Sequence, residues 1–229
     1  MHHELLTLLK HKFSGLYNAS FDHIIAPPFC SYCKQFLTKR MIFCVACYDM
    51  IQPIVSVQLP ITKNFAMTVL AISDYQEPLK SLILSKSWSD IVAAHQLGQL
   101  LWQMSYFKHM QCDYLVPIPL HWMRFAKRGY NQAEEIAKVL SQHKNVPVAH
   151  ILSRSRNTPF QSSIAADKRL ANVKDAFILK KVDPQLYHNK NLVLVDDLMT
   201  SGATLISAAK TLLKCQPAAV HAVVVCRVC

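Results

Sequence analysis

Four apolar residues in a row, Leu192-Val193-Leu194-Val195, run into Asp196-Asp197, then Leu198-Met199, then the small-residue stretch Thr200-Ser201-Gly202-Ala203-Thr204. Apolar residues that do not alternate with polar ones predict a strand buried on both faces, and such a strand needs covering layers on either side. Leu205, Ala208, Ala209 and Leu212 then recur at helical spacing, which predicts a helix over 203–214. A strand, a short loop and a helix form the repeating unit of an open α/β sheet, whose ligands bind beyond the carboxyl ends of the strands. Residues 200–204 can turn successive backbone N–H groups toward an anion at the helix N-terminus, and Gly202 allows a backbone angle that other residues resist. Two neighbouring carboxylates suit vicinal hydroxyls or a bridging Mg²⁺ better than they suit a phosphate. An Asp-Asp turn followed by a Thr or Ser helix cap would reproduce part of the pattern with no ligand at all. Neither G-x-x-x-x-G-K nor G-x-G-x-x-G occurs anywhere in the chain, which excludes the P-loop and dinucleotide fingerprints.

The rest of the chain divides into four zones. Residues 1–25 read as a short amphipathic helix (Leu5, Leu8, Leu9 and Phe13 on one face) and a connector, and 26–50 are rich in cysteine. Residues 51–63 carry two prolines among β-branched residues and read as an extended linker. From 64 to 229 strands and helices alternate. Strands are expected at 65–73, 113–116, 149–152, 191–195 and 219–225, with helices at 78–85, 90–106, 131–141 and 203–214. The fold class is therefore α/β, a parallel sheet flanked by helices with a small N-terminal module.

Cys30 and Cys33, and again Cys44 and Cys47, are each separated by two residues. Each pair can offer two thiolates from one tight turn, and two such knuckles complete a tetrahedral Cys₄ zinc site. The first residues lack the long apolar core of a signal peptide, and no apolar run reaches the roughly 18 residues of a membrane span. The protein is thus expected to be cytoplasmic, not integral to a membrane, with its cysteines reduced or metal-bound.

The formal net charge of +11 points to polyanionic partners, although a solvated basic surface explains it equally well. Val116-Pro117-Ile118-Pro119-Leu120 follows a predicted strand. Beyond it, Arg124, Lys127 and Arg128 stand at helical spacing with Trp122, Phe125 and Tyr130 interleaved. Such a stretch can grip phosphates and stack bases, or can be a basic helix start whose aromatics turn to the core.

The sequence V-L-V-D-D-L-M-T-S-G-A-T resembles the phosphoribosyl-diphosphate (PRPP) motif of type I phosphoribosyltransferases. Three further features are similar to the ComF/GntX family of competence-related, phosphoribosyltransferase-like proteins: P-I-P-L followed by R-x-x-x-R-G-Y-N-Q, a preceding Cys₄ ribbon, and a later R-N-T-x-x-Q and K-R-x-x-N-V-K-x-A-F over 156–177. The resemblance implies that Asp196 and Asp197 hold the ribose hydroxyls and that Thr200, Ser201, Gly202, Ala203 and Thr204 cradle the 5-phosphate. It also implies that Pro117, Ile118 and Pro119 meet the diphosphate, with Mg²⁺ accompanying PRPP. Arg124, Lys127, Arg128 and Arg169 are the candidate DNA- or phosphate-contact residues, and Gln161, Lys168 and Asn172 candidate hood or partner residues. The role implied is a PRPP-binding, zinc-containing protein that handles incoming single-stranded DNA in natural transformation, beside cytoplasmic components of a DNA-uptake machine. An active transferase with a nitrogen acceptor, and a PRPP-sensing regulator, are the alternatives.

Overall fold

The computed structural model describes residues 29–39, 41–54, 56–85, 91–120, 125–126, 129–154 and 176–228. The chain forms two compact units, Met1–Met50 and Ile51–Cys229. In the first, Phe29 and Phe36 bridge antiparallel across a tight turn, their rings edge to face with centroids 5.8 Å apart. Lys34 closes that turn in the left-handed region (φ 64). A five-residue helix, α1 (Val45–Asp49), follows. Phe43 is fully buried, and Leu37 and Ile42 are also buried in this unit.

The second unit opens with β1 (Val57–Thr62) and β2 (Phe65–Asp74), then α2 (Leu79–Leu84), α3 (Ile91–Met104), β3 (Tyr114–Pro117) and α4 (Gln132–Lys144). It continues through β4 (Leu152–Arg154), β5 (Phe177–Leu179), β6 (Asn191–Met199), α5 (Ala203–Leu212) and β7 (Ala219–Arg227). Five strands form one sheet in the order β1-β2-β7-β6-β3, and β4 and β5 make a separate antiparallel pair. From β2 to β3 every pairing is parallel. The carboxyl ends Asp74, Arg227, Met199 and Pro117 therefore lie along one edge of the sheet.

Along β6, Leu192 and Leu194 join the cluster that α5 covers through Leu205, Ala208, Ala209 and Leu212. Val193 and Val195, equally buried, point to the opposite face, where α3 and α4 pack. A Cβ on Gly98 would meet the Cβ of Val139 at 2.8 Å, so the bare backbone of α3 is what lets α4 come this close. Among the described residues no helix is long and apolar enough to cross a membrane.

Three expectations are revised. The stretch read as an extended linker is, over Val57–Thr62, an edge strand paired antiparallel with β2. Its proline is compatible because Pro60 sits where one side of the ladder has no partner strand. The clue was the alternation of Val57, Leu59 and Ile61, turned inward, with Gln58, Pro60 and Thr62, all exposed. Second, β6 does not stop at Val195 but runs through the acidic pair to Met199, because β7 offers a ladder just as long, out to Met199 opposite Arg227. Third, residues 147–149 hydrogen-bond to Leu115 of β3, and the strand that follows begins at Leu152 in the smaller sheet.

Candidate functional site

Asp196 and Asp197 stand near the carboxyl end of β6, with Asp196 opposite Val224 of β7. Both are half-buried, and the Asp197 N–H donates to the Asp196 carboxylate at 3.0 Å. Loss of hydration, then the neighbouring Asp197 charge, pushes the Asp196 carboxyl well above the usual carboxylate range, against the opposing charge of Arg154. Two acids held so close, one of them reluctant to ionise, favour a cation or a pair of hydroxyl donors that would relieve the repulsion.

The chain then turns through Thr200 and Ser201 to Gly202, the N-cap of α5, at φ 73 and ψ −3. No side chain caps this helix; its first closed turn is Ile206 N–H to the Gly202 carbonyl at 2.9 Å. The first-turn N–H groups of Ala203, Thr204 and Leu205 precede that bond, at the end of a helix that suits anions. Asp196, Thr200, Gly202 and Thr204 line a single small pocket of about 10 Å³, about enough for one water. Of the predicted residues, Asp196, Thr200, Gly202 and Thr204 are thus brought together, while Asp197, exposed Ser201 and buried Ala203 do not line that pocket.

Pro117 pairs with Val195, and the Ile118 N–H donates to the Val195 carbonyl at 2.9 Å, which fixes the Pro117–Ile118–Pro119 loop beside the acidic strand. Two residues that sequence reasoning left out hold or border this loop. The buried amide of Asn131 donates to the Ile118 carbonyl at 3.0 Å. Arg154, half-buried at the end of β4, stacks over the Phe177 ring at 5.5 Å and helps line a pocket of about 390 Å³ with Pro117 and Pro119. Asn131 belongs to the quoted R-G-Y-N-Q string, which was its only signal, whereas Arg154 had none because its place depends on β4 folding back near β6.

In the first unit, the sulfurs of Cys30, Cys33, Cys44 and Cys47 all lie within 4.8 Å of one another, with Cys33 and Cys44 at 3.7 Å. A tetrahedron of thiolates at the usual Zn–S length of about 2.3 Å has edges of about 3.8 Å, so the donor set fits zinc. Burial opposes ionisation of Cys30, yet the backbone N–H groups of Cys44, Cys33 and Tyr32 outweigh it and bring the thiol down to about 6. Burial and the neighbouring sulfurs push Cys47 up, so a cation among the sulfurs would be needed to hold it as a thiolate. Cys226 is buried at the end of β7 with its thiol pushed up to about 12, foremost by lost hydration, in keeping with a core thiol. Arg124, Lys127, Arg128, Arg169, Gln161, Lys168 and Asn172 lie outside the described residues. Phe125 is described and is 49% exposed.

Residues 87–228 match the phosphoribosyl transferase domain family. The chain is 28% identical over 208 residues to competence protein F of Haemophilus influenzae, covering 88% of this chain and 85% of that one. It is 30% identical to the DNA utilization protein YhgH of Escherichia coli K12 over 166 residues, 69% of this chain and 71% of the relative. Competence protein ComFC of Bacillus subtilis is 36% identical over 100 residues, 44% of this chain and 38% of its own. The parallel sheet with its flanking helices is thus a phosphoribosyltransferase-like fold, preceded by a four-cysteine module able to hold zinc. With that domain match and these relatives, the chain belongs to the ComF family of competence-related, phosphoribosyltransferase-like proteins.

Proposed function

We propose that this chain binds PRPP with Mg²⁺ and serves DNA uptake or utilisation by handling single-stranded DNA in the cytoplasm, with zinc holding its four-cysteine module. In this reading Asp196 and Asp197 accept hydrogen bonds from the ribose hydroxyls. Thr200 to Thr204 receive the 5-phosphate on the uncapped start of α5, and the Pro117–Ile118–Pro119 loop borders the diphosphate. The observation that carries it is one small pocket lined both by Asp196, next to Asp197 and reluctant to ionise, and by the start of α5, which no side chain caps. Asp196 favours hydroxyl donors or a metal and the helix start favours an anion, and a phosphorylated sugar offers both. The names of the relatives, competence and DNA utilization, support the cellular role. Zinc binding would contribute folding energy to this unit.

Calorimetry with PRPP and Mg²⁺, with and without short single-stranded DNA, tests the reading. Binding is expected, and Asp196→Ala with Asp197→Ala should abolish it while the melting temperature shows an intact fold. Unchanged PRPP binding in that double variant would refute the assignment. The match to the phosphoribosyl transferase domain favours a second reading, in which a nitrogen nucleophile displaces diphosphate from C1 of PRPP. No diphosphate release with any base tried would remove it.

A further inference from the structure

Aromatic rings and cations gather at the amino end of the sheet, opposite the acidic pair. After α3 ends at Met104, the one-turn helix Tyr106–His109 leads toward β3, and the Asp113 N–H donates to the carbonyl of Asn191, the first residue of β6, at 2.9 Å. The last residue of α4, Lys144, reaches this turn and donates to the Lys108 carbonyl at 3.0 Å. We propose that this surface grips single-stranded nucleic acid, with bases stacking on Tyr106 and His143 and phosphates meeting Lys108. The partner rests on the DNA reading proposed above; the place is new and lies apart from the basic stretch at Arg124, Lys127 and Arg128.

Trp102 and His143 lie face to face, 8° from parallel with ring centroids 5.2 Å apart, and His143 is exposed, so a base can extend the stack. Tyr106 is 69% exposed, its ring 4.9 Å from that of His109. Core packing does not account for a tyrosine so little buried, whereas every base has a π face to lay on it. The support is braced before any ligand arrives. The Lys144 ammonium lies 5.2 Å from the centre of the fully buried Phe107 ring, and Ser105 caps the turn by accepting from the Phe107 N–H at 3.3 Å. The charge here is cationic, with Lys108 exposed and Lys144 half-buried. Asp113, the acid nearest to Lys108 along the chain, accepts from the Asn191 N–H at 2.7 Å and faces the Lys190 ammonium at 3.9 Å. Glu134 and Glu135 of α4 are both answered by Lys138. A solvated basic face would explain the lysines but not the open rings. An acidic protein segment would answer the cations and leave the ring faces uncovered; a single strand answers both.

The test uses the full chain and a labelled short oligothymidylate followed by anisotropy, with an abasic oligomer of the same length and polyglutamate as competitors. Tyr106→Ala should weaken binding by about fivefold or more, and Tyr106→Phe, which keeps the ring, should restore it. Lys108→Glu should weaken binding at low salt and less so as salt rises. Lys210→Glu makes the same charge change on α5, which covers the other face of the sheet, and should alter binding by less than about twofold. Tyr106, Lys108 and Lys210 are all exposed, and melting temperatures check that the fold is retained. The abasic oligomer should compete less well than unlabelled oligothymidylate, and Tyr106→Ala should shrink that difference. If the chain binds no oligomer, the DNA reading and this proposal both fall. If it binds while Tyr106→Ala and Lys108→Glu bind normally, and Arg124→Ala with Arg128→Ala does not, the DNA reading stands and this proposal is overturned. It is also overturned if the abasic oligomer or polyglutamate competes as well as oligothymidylate, or if Lys210→Glu weakens binding as much as Lys108→Glu.

Discussion

Gly202→Ala probes how the cradle loop is held. Gly202 occupies the left-handed region at φ 73, where a residue with a Cβ costs roughly 1–2 kcal/mol. The added Cβ would also lie 2.7 Å from Cδ1 of Leu59 on the edge strand, well inside contact distance. Leu59 is half-buried and flexible at its end, so it can swing aside at about 0.5–1.5 kcal/mol for leaving its rotamer. Together the substitution should destabilise the protein by about 2–3 kcal/mol, read as a lower urea midpoint with an unchanged m-value. Repeating it in a Leu59→Ala background removes the clash and leaves the backbone part, so the cycle should show about 1 kcal/mol of coupling. Gly202→Asn should cost less than alanine in that background, because asparagine tolerates the left-handed region. A Gly202→Ala protein within about 0.5 kcal/mol of wild type would refute the reasoning. A cost identical in both backgrounds would refute the part assigned to Leu59.

Metal analysis should find about one zinc per chain, and Cys30→Ser with Cys44→Ser should lose it. Asp196 has a folded-state carboxyl held well above the ordinary carboxylate range, so its contribution is fully present below that range and is lost as pH rises through the raised value. Asp196→Asn should therefore raise the melting temperature of the ligand-free protein at neutral pH, flatten its pH dependence and weaken PRPP binding; a lower melting temperature at neutral pH would contradict this. Asn131→Ala leaves the Ile118 carbonyl without its buried donor and should cost about 1–3 kcal/mol in chemical denaturation, with weaker PRPP binding as the loop loosens.

The features legible in the sequence are those in which neighbours along the chain are neighbours in space. Leu192 to Val195 announced a strand buried on both faces, Leu205 to Leu212 a helix, and the two cysteine pairs a tetrahedral donor set, because each pattern is local. For the same reason Thr200 to Thr204 could be placed at a helix start before any fold was known. The tertiary structure decided what depends on distant pairing. It carried β6 through the acidic pair, since the length of β7 sets the end of that ladder. It made Val57–Thr62 an edge strand, where a proline is tolerated, and set Leu59 against Gly202. It brought Asn131 to Ile118, and Arg154 near enough to Asp196 for its charge to act there. Chain separation hides such contacts: no residue type signals a partner dozens of positions away until the sheet aligns the carboxyl ends of its strands along one edge.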